Sequence, residues 1–477
     1  MSVTTAPPSP PGAAAPSSSS SSDPDPATTL ASPRRAAHSA GRSSLPPAEA
    51  PTPRATPAAL LALVREAVLA PHAAAARVPL PMHEPLSELQ QRAEDLEYHA
   101  LLDAAAACAP GSRARLATVA AFAVSAYAGV VRTGKPFAAV LGETFELVVG
   151  GGGGVGVGAG QGQGQGGGFR FLAEKVRAAP RPLNHAIAHG VAGWTFELED
   201  ELRMKFGASS VELTPRVLVR AAFPDGEAFS WGKVTTTIHN ATALVGKMRL
   251  EHTGVCTVAS ALTGEACVLT FHGAGAGPGG RKAAREVSGV VVRGAGAGAA
   301  PVAPPVTLDG AWDTSLRAAG LDSASGSPTL LWSSRAATAG GGWAALVAGL
   351  GPHNRFGFGP WTAGLNAPPA RTCACGGGDG GGGGGGGESP PPCCPARHAP
   401  LPPTDSRLRP DLRALEHGRY PAAAAAKAAL EAEEAAKVAC GARSPHAPTW
   451  FARRGGVEAE VGAAFLYAYR GGYWAAA

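Results

Sequence analysis

The sequence predicts an α+β chain dominated by β structure: helices, then a long antiparallel meander closing as a sandwich or barrel, then helices again. Three observations predict it. Apolar residues recur at helical spacing near the start, alternate strictly from about residue 137, and give way to a helix-forming composition after about residue 404. The alternating runs are short and separated by Gly, Pro and Asp, the pattern of a meander rather than of strands joined by crossover helices.

Residues 1–57 are Pro, Ser, Ala and Thr with almost no large apolar side chains. Nothing there offsets the entropy of ordering, so the segment reads as a disordered tail. Residues 58–475 read as one domain. Leu60, Leu61, Val64, Val68 and Leu69 share one helix face, with Arg65 and Glu66 opposite and Pro71 as the stop. Ser87 caps a second helix running through Leu89, Leu96, Leu101 and Leu102, and residues 116–130 form a third, buried one. Strands are expected around Phe145–Val149, Phe169–Phe171, Trp194–Leu198, Val217–Val219, Val234–Ile238, Met248–Leu250, Val255–Val258 and Val287–Val292. Glycine-rich insertions at 150–168, 273–300 and 373–396 have few side chains to pack and read as surface loops. Pro421 suits the start and Gly441 the end of an Ala-rich final helix, and an aromatic cluster from Trp450 to Trp474 closes the chain.

Composition narrows the function. At 477 residues and 45% hydrophobic, the chain is not wholly disordered, and it contains no run of apolar residues long enough for a membrane-spanning helix. A net charge of +5 is too mild to indicate a nucleic-acid partner. It suits transient contact with an anionic membrane surface, where a well-placed basic residue is worth about 1 kcal/mol. The start, MSVTTAPPSPPG, has neither the basic residues nor the apolar stretch of a secretory leader, so the thiols are expected to be reduced. Its Ser/Ala-rich, acid-poor character leaves an organellar transit peptide open, against which the many prolines argue.

Enzyme motifs fail on inspection. GVVRTGKP (129–136) approaches a phosphate loop, but Pro136 stands where a metal-binding hydroxyl is needed. GxGxxG within poly-Gly is chance. Cys373, Cys375, Cys393 and Cys394 lie in a Gly/Ser/Pro segment that offers their thiolates no supporting shell, so they read as free thiols rather than zinc ligands. No nucleophile sits at a telling distance from a base. Neither a catalytic residue nor a cofactor nor a metal is expected.

Several long segments, in order, resemble the ligand-binding domain of the oxysterol-binding protein family. They are VPLPMHEPLSELQQRAEDLEYHALLD (78–103), RTGKPFAAVLGETFEL (132–147), WGKVTTTIHN with VGK (231–247), LDGAWD (308–313), LPPTDSRLRPDLRALEHGRY (401–420) and PTWFARR with YRGGYW (448–474). The resemblance implies an incomplete antiparallel β-barrel enclosing a lipid tunnel, with an N-terminal lid, here the helix at 60–69, and flanking helices. It implies a monomeric cytoplasmic carrier, peripherally membrane-associated, that moves a sterol or other lipid between membranes, with phosphatidylinositol 4-phosphate as an open second ligand. The alternative is a lipid sensor or scaffold that keeps the fold without exchange. Burying about 300 Å² of lipid at about 25 cal/mol per Å² is worth roughly 7 kcal/mol against water. A bilayer offers the lipid nearly the same, so selectivity must come from shape, closure and a polar anchor.

That anchor is where the chain departs from the family pattern. The resemblance implies head-group contacts from Lys135 in KPF, with Phe137 beside it, and from Lys427 and Glu431 on the final helix. The family's Glu-Gln-Val-Ser-His-His-Pro-Pro run corresponds to Glu174-Lys175-Val176-Arg177-Ala178-Ala179-Pro180-Arg181, so both histidines are alanine. The third position of the helical Lys-Glu-Arg series is Ala435. A hydrogen bond to a charged group is worth about 1.5–3 kcal/mol, so three losses predict binding weaker by about a thousandfold or more. Lys175, Arg177 and Arg181 read as a solvated basic loop. These three, or His185 and His189 downstream, compensate only if they point inward.

Overall fold

The computed structural model describes residues 44–474, apart from 54–55, 57, 60–61, 63–64, 66–77, 151–166, 180, 208, 242–247, 276–284, 295–298, 322–325, 339–341, 368–400, 442–445 and 456–460. Leu60, Leu61, Val64, Val68 and Leu69 of the expected lid helix therefore lie outside the described residues, as do most of the glycine-rich insertions and Cys373, Cys375, Cys393 and Cys394.

Strand β1 (His83–Ser87) pairs in parallel with β2 (Lys135–Phe137). Helices α1 (Glu88–Glu94), α2 (Ala100–Ala107) and α3 (Arg113–Ser125) lie between them in sequence. The main sheet contains β3 (Thr144–Val149), β4 (Phe169–Arg177), β5 (Leu183–Gly190), β6 (Thr195–Phe206), β7 (Ser210–Ala222), β8 (Ala228–Trp231) and β9 (Thr235–His239). It continues through β10 (Arg249–Ser260), β11 (Glu265–Phe271), β12 (Glu286–Arg293), β13 (Ala300–Pro301), β14 (Thr307–Ala311), β15 (Ser315–Ala319) and β16 (Thr329–Ser333). Short helices α4 (Arg335–Thr338), α5 (Gly342–Gly349) and α6 (Pro360–Leu365) follow, then α7 (Pro410–Glu416) and the long α8 (Tyr420–Gly441), and finally the hairpin β17 (Phe451–Arg453) and β18 (Tyr467–Tyr469).

The 14 strands of the main sheet pair in the order β16-β15-β14-β12-β11-β10-β8-β7-β6-β5-β4-β3, with β13 on β12 and β9 bridging β10 and β7. Among the described residues no ladder joins β3 to β16, so the curled sheet is an incomplete antiparallel barrel. The expected runs at Met248–Leu250 and Val255–Val258 belong almost entirely to one strand, β10. The helix expected from Ser87 through Leu102 is two helices separated by turns at 95–99. Ser87 forms a capping box with Gln90 at the start of α1.

The hollow is partly filled. Alternate residues of the strands, such as Phe145 and Leu147, Phe169 and Phe171, and Val217 and Val219, join one core with α1, α2 and α3. Ten of the thirteen residues of α3 are buried, so its apolar run is explained by enclosure rather than by amphipathicity. Phe122 meets Phe196 and Trp231 edge-on at 5.9 and 6.1 Å. The opposite face of β3–β5, with Val148, Leu172 and Ile187, is covered by Phe451, Tyr467, Tyr473 and Trp474. The terminal aromatic cluster is thus a cover for the sheet's outer face.

One expectation is corrected here. Residues 44–53, read from composition as part of the disordered tail, are seated on the turn before α8. Leu45 is 2% exposed, Glu49 N–H donates to His417 O at 2.9 Å, and Tyr420 O–H donates to Thr52 at 2.7 Å. A single leucine plus hydrogen bonds suffices because α7 and α8 supply a finished surface. Gly418, at φ +71°, leaves room for the segment: a Cβ there would meet Ala48 Cβ at 2.8 Å.

The filled core carries a prediction. Phe122→Ala is expected to cost about 3–5 kcal/mol in a guanidinium unfolding experiment. A loss below about 1 kcal/mol would show that α3 is not the packed centre of the sheet.

Candidate functional site

A cavity opens where α3 ends and the sheet is no longer filled. Its volume is about 200 Å³. One wall is apolar and comes from strands in period two: Leu202, Met204 and Phe206 on β6, and Val211 and Leu213 on β7. Ile238 of β9 and Leu250 of β10 continue it. The facing wall is polar and comes from a helix at helical spacing: Glu88, Gln91, Arg92 and Asp95 of α1 and its C-cap. Lys135 and Gly134 close the polar end. Val78 also lines the cavity, and Met82 and Phe206 pack against Val78.

The charges of the polar wall are paired across elements. Arg92 Nε lies 3.1 Å from Asp200 of β6, and Lys233 Nζ 2.5 Å from Asp95. Behind them, Arg132 bridges Glu84 and Glu94 at 3.0 and 2.9 Å. Tyr127, inside the cavity, accepts the Val234 N–H at 2.9 Å. His252 is buried against Tyr127 and Trp312, and burial is the main force taking its pKa down to about 3, so it is neutral.

Of the four site residues expected from the resemblance, three fall together. Lys135 and Lys427 are close enough to act electrostatically on each other and on His83. Burial lowers the pKa of Lys135, Glu88 opposes this, and Lys427 adds to the lowering. The His83 imidazole is held well below its ordinary value by burial, then by Lys135 and Lys427. Lys427 is paired with Glu431 one turn on at 2.5 Å, its side chain 15% exposed and that of Glu431 47%. Phe137 does not line the cavity. Its ring is buried among Leu412, Leu415, Tyr420 and Ala423, with His83 at 4.8 Å. It anchors the strand that carries Lys135 to α7 and α8.

Lys175 was expected in a solvated loop, yet it is 2% exposed on β4, with Nζ 3.6 Å from Glu88. Sequence reasoning missed it because the strand extends past the glutamate to Arg177. Arg177 and Arg181 do face solvent in part, paired with Glu201 at 3.8 and 3.5 Å. Ala178 is half-buried, and Ala179 and Ala435 are exposed. Thr236 also lines the cavity.

His185 and His189 lie away from the cavity, toward the terminal hairpin. His185 is held between Glu199 at 3.1 Å and Glu197 at 3.2 Å and meets the tilted ring of Phe451 at 4.5 Å. Glu199 also accepts the N–H groups of Leu466 and Tyr467 at 3.0 Å, fixing β18. Burial opposes charging His185, but the hydrogen bonds and charges of Glu197 and Glu199 outweigh it and raise its pKa.

The comparisons decide the family. The sequence pattern described as oxysterol-binding protein matches residues 74–374 and 393–477. The chain belongs to the oxysterol-binding protein family. It is 33% identical over 410 residues to oxysterol-binding protein-related protein 2B of Arabidopsis thaliana, covering 84% of this chain and 48% of that one. It is 29% identical over 422 residues to oxysterol-binding protein 2 of Mus musculus, covering 84% and 40%. The chain thus spans less than half the length of these relatives. Its fold is similar to Osh3 ORD from Saccharomyces cerevisiae, solved in complex with PI(4)P, at TM-score 0.60 and 26% identity over 87% of this chain and 91% of that one. It is similar also to Osh1 ORD in complex with ergosterol, at 0.59 and 26% over 83% of each. The family and fold are those of lipid-binding and lipid-transport proteins. Among the described residues no helix is long and apolar enough to cross a membrane, and no cluster of His, Cys, Asp or Glu could hold a metal ion.

The His185 arrangement has a pH signature. A raised folded pKa contributes stability that is fully present below the unfolded value near 6.5 and is lost as pH rises through the folded pKa. Thermal unfolding across that window should show the decline. His185→Gln should remove it, and an unchanged slope in that variant would place the dependence elsewhere.

Proposed function

We propose that this chain binds a sterol, or a lipid of similar shape, and carries it between membranes without covalent chemistry, its grip on phosphatidylinositol 4-phosphate weakened. The observation that carries the reading is the two-sided cavity: alternating aliphatic side chains on the sheet wall, a charged helix face opposite, and lysines at one end. A molecule that is mostly apolar with one polar end matches such a space. Membership of the family, and neighbours solved with ergosterol and with PI(4)P, support the same reading.

The weakened phosphoinositide grip is supported by Ala178, Ala179 and Ala435, which have no side chain to donate, and by His185 and His189 lying elsewhere. Lys135, Lys427 and Glu431 remain as head-group candidates. The protein acts as a monomer in transient contact with the membrane surface, and needs no cofactor and no nucleic acid. The same three alanines favour a second reading, a sensor or scaffold that binds a lipid without exchanging it.

Vesicles of phosphatidylcholine doped with a fluorescent sterol test the reading. The purified chain should extract the sterol saturably and deliver it to acceptor vesicles. Leu213→Trp, which overfills the apolar wall, should weaken extraction by about tenfold to a hundredfold. No saturable uptake by the unaltered chain would overturn the carrier reading, and uptake without delivery would select the sensor. Tight, selective extraction of phosphatidylinositol 4-phosphate would overturn the weakened grip. Whatever anionic-lipid affinity exists should fall about tenfold to a hundredfold in Lys135→Ala, measured by vesicle co-sedimentation.

A further inference from the structure

The carrier reading leaves open which head the site accepts, and Glu88 bears on it. Glu88 is the first residue of α1, directly after its cap, Ser87. Its side chain lines the cavity and is 19% exposed. One carboxylate oxygen lies 3.6 Å from Lys175 Nζ and accepts the Ala139 N–H at 3.4 Å. Burial pushes its pKa up, but Lys175, Lys135 and Arg92 outweigh this and hold the group ionised. Of the two lysines that Glu88 serves, Lys135 lines the cavity and Lys175 is buried behind it.

Charges of both signs meet at this end. Three ammonium groups, Lys135, Lys175 and Lys427, face two carboxylates, Glu88 and Glu431. His83 is neutral there, and Arg92 and Lys233 are matched by Asp200 and Asp95. A phosphodiester head carries one negative charge, whereas a phosphomonoester carries about 1.5 to 2 at neutral pH. The second charge of a phosphomonoester would sit beside the Glu88 carboxylate, which repels it.

We propose that Glu88 is an internal competitor for the anionic head of the ligand. It holds, with a carboxylate, the place beside Lys175 that a phosphate oxygen would take. The head end therefore favours phosphodiester over phosphomonoester heads. This rests on the carrier reading and extends it to the class of head.

The test uses the whole chain and phosphatidylcholine vesicles doped either with phosphatidylinositol or with phosphatidylinositol 4-phosphate. Glu88→Gln keeps the shape and removes the charge. It should raise affinity for the phosphomonoester by about tenfold and for the phosphodiester by less, so the preference between them shifts. Lys175→Met leaves Glu88 to Lys135 alone and should lower affinity for both heads. A preference unchanged or moved the other way in Glu88→Gln overturns the proposal, as does a gain of phosphomonoester affinity in Lys175→Met. If Glu88→Gln does not fold by circular dichroism, Glu88→Ala repeats the measurement with a residue suited to a helix start. The unaltered chain is run alongside with the fluorescent sterol. Failure there counts against the carrier reading, while sterol uptake with an unshifted head preference counts against Glu88 alone.

Discussion

Arg92, Glu94 and Asp95 put three charges on or just after one seven-residue helix, and each is answered from a different part of the chain: Asp200 on β6, Arg132 before β2 and Lys233 before β9. Buried charges are tolerated only with partners, and stripping one of its partner costs about 3–5 kcal/mol. Helix α1 therefore cannot slide over the sheet without breaking several such contacts at once. An aliphatic helix face in the same place could close onto Leu202, Met204 and Leu213. A face of long paired side chains stands off from them, and the space left between is the cavity. These pairs matter less for net stability than for holding two walls of opposite character at a fixed separation.

A second set of contacts brings the head end together from distant segments. Glu143 accepts from Ser87 Oγ, from Ser406 Oγ at 2.6 Å, from Arg409 at 2.8 Å and from Val140 N–H at 2.9 Å. It ties the start of α1, the turn before α7 and the entry to β3 into one knot. Phe137, held under α7 and α8, fixes the strand on which Lys135 sits. Glu434 of α8 accepts the Leu141 N–H at 2.8 Å, which sets the helix, and with it Lys427, along the same edge. The Ala-rich composition of α8 brings no large apolar face, so polar contacts of this kind do much of the docking.

Much of this was legible from residue order. The cap at Ser87, the alternation in β3, β4 and β7 and the buried run of α3 follow from period and propensity, and each is where those rules place it. Lys175 was misread because Arg177, Ala179 and Arg181, close by in sequence, do face water at least in part. Whether the strand continues one residue further decides between solvent and interior, and that depends on pairing with Asn184 rather than on local composition. Residues 44–53 were misread for the converse reason: too polar to fold alone, they are ordered by a surface made elsewhere.

The residues themselves determined the architecture of helices, meander and helices, the family, the apolar parity of the strands and the loss of the paired histidines, because period, propensity and side-chain chemistry are written along the chain. The tertiary structure alone decided that part of the barrel is plugged by α3, that Phe137 packs under α7 and α8 rather than lining the cavity, and that Glu88 and Lys175 meet near Lys135. Those outcomes depend on contacts between segments tens to hundreds of residues apart, whose charges act on one another only after the sheet has curled and water has left the space between them.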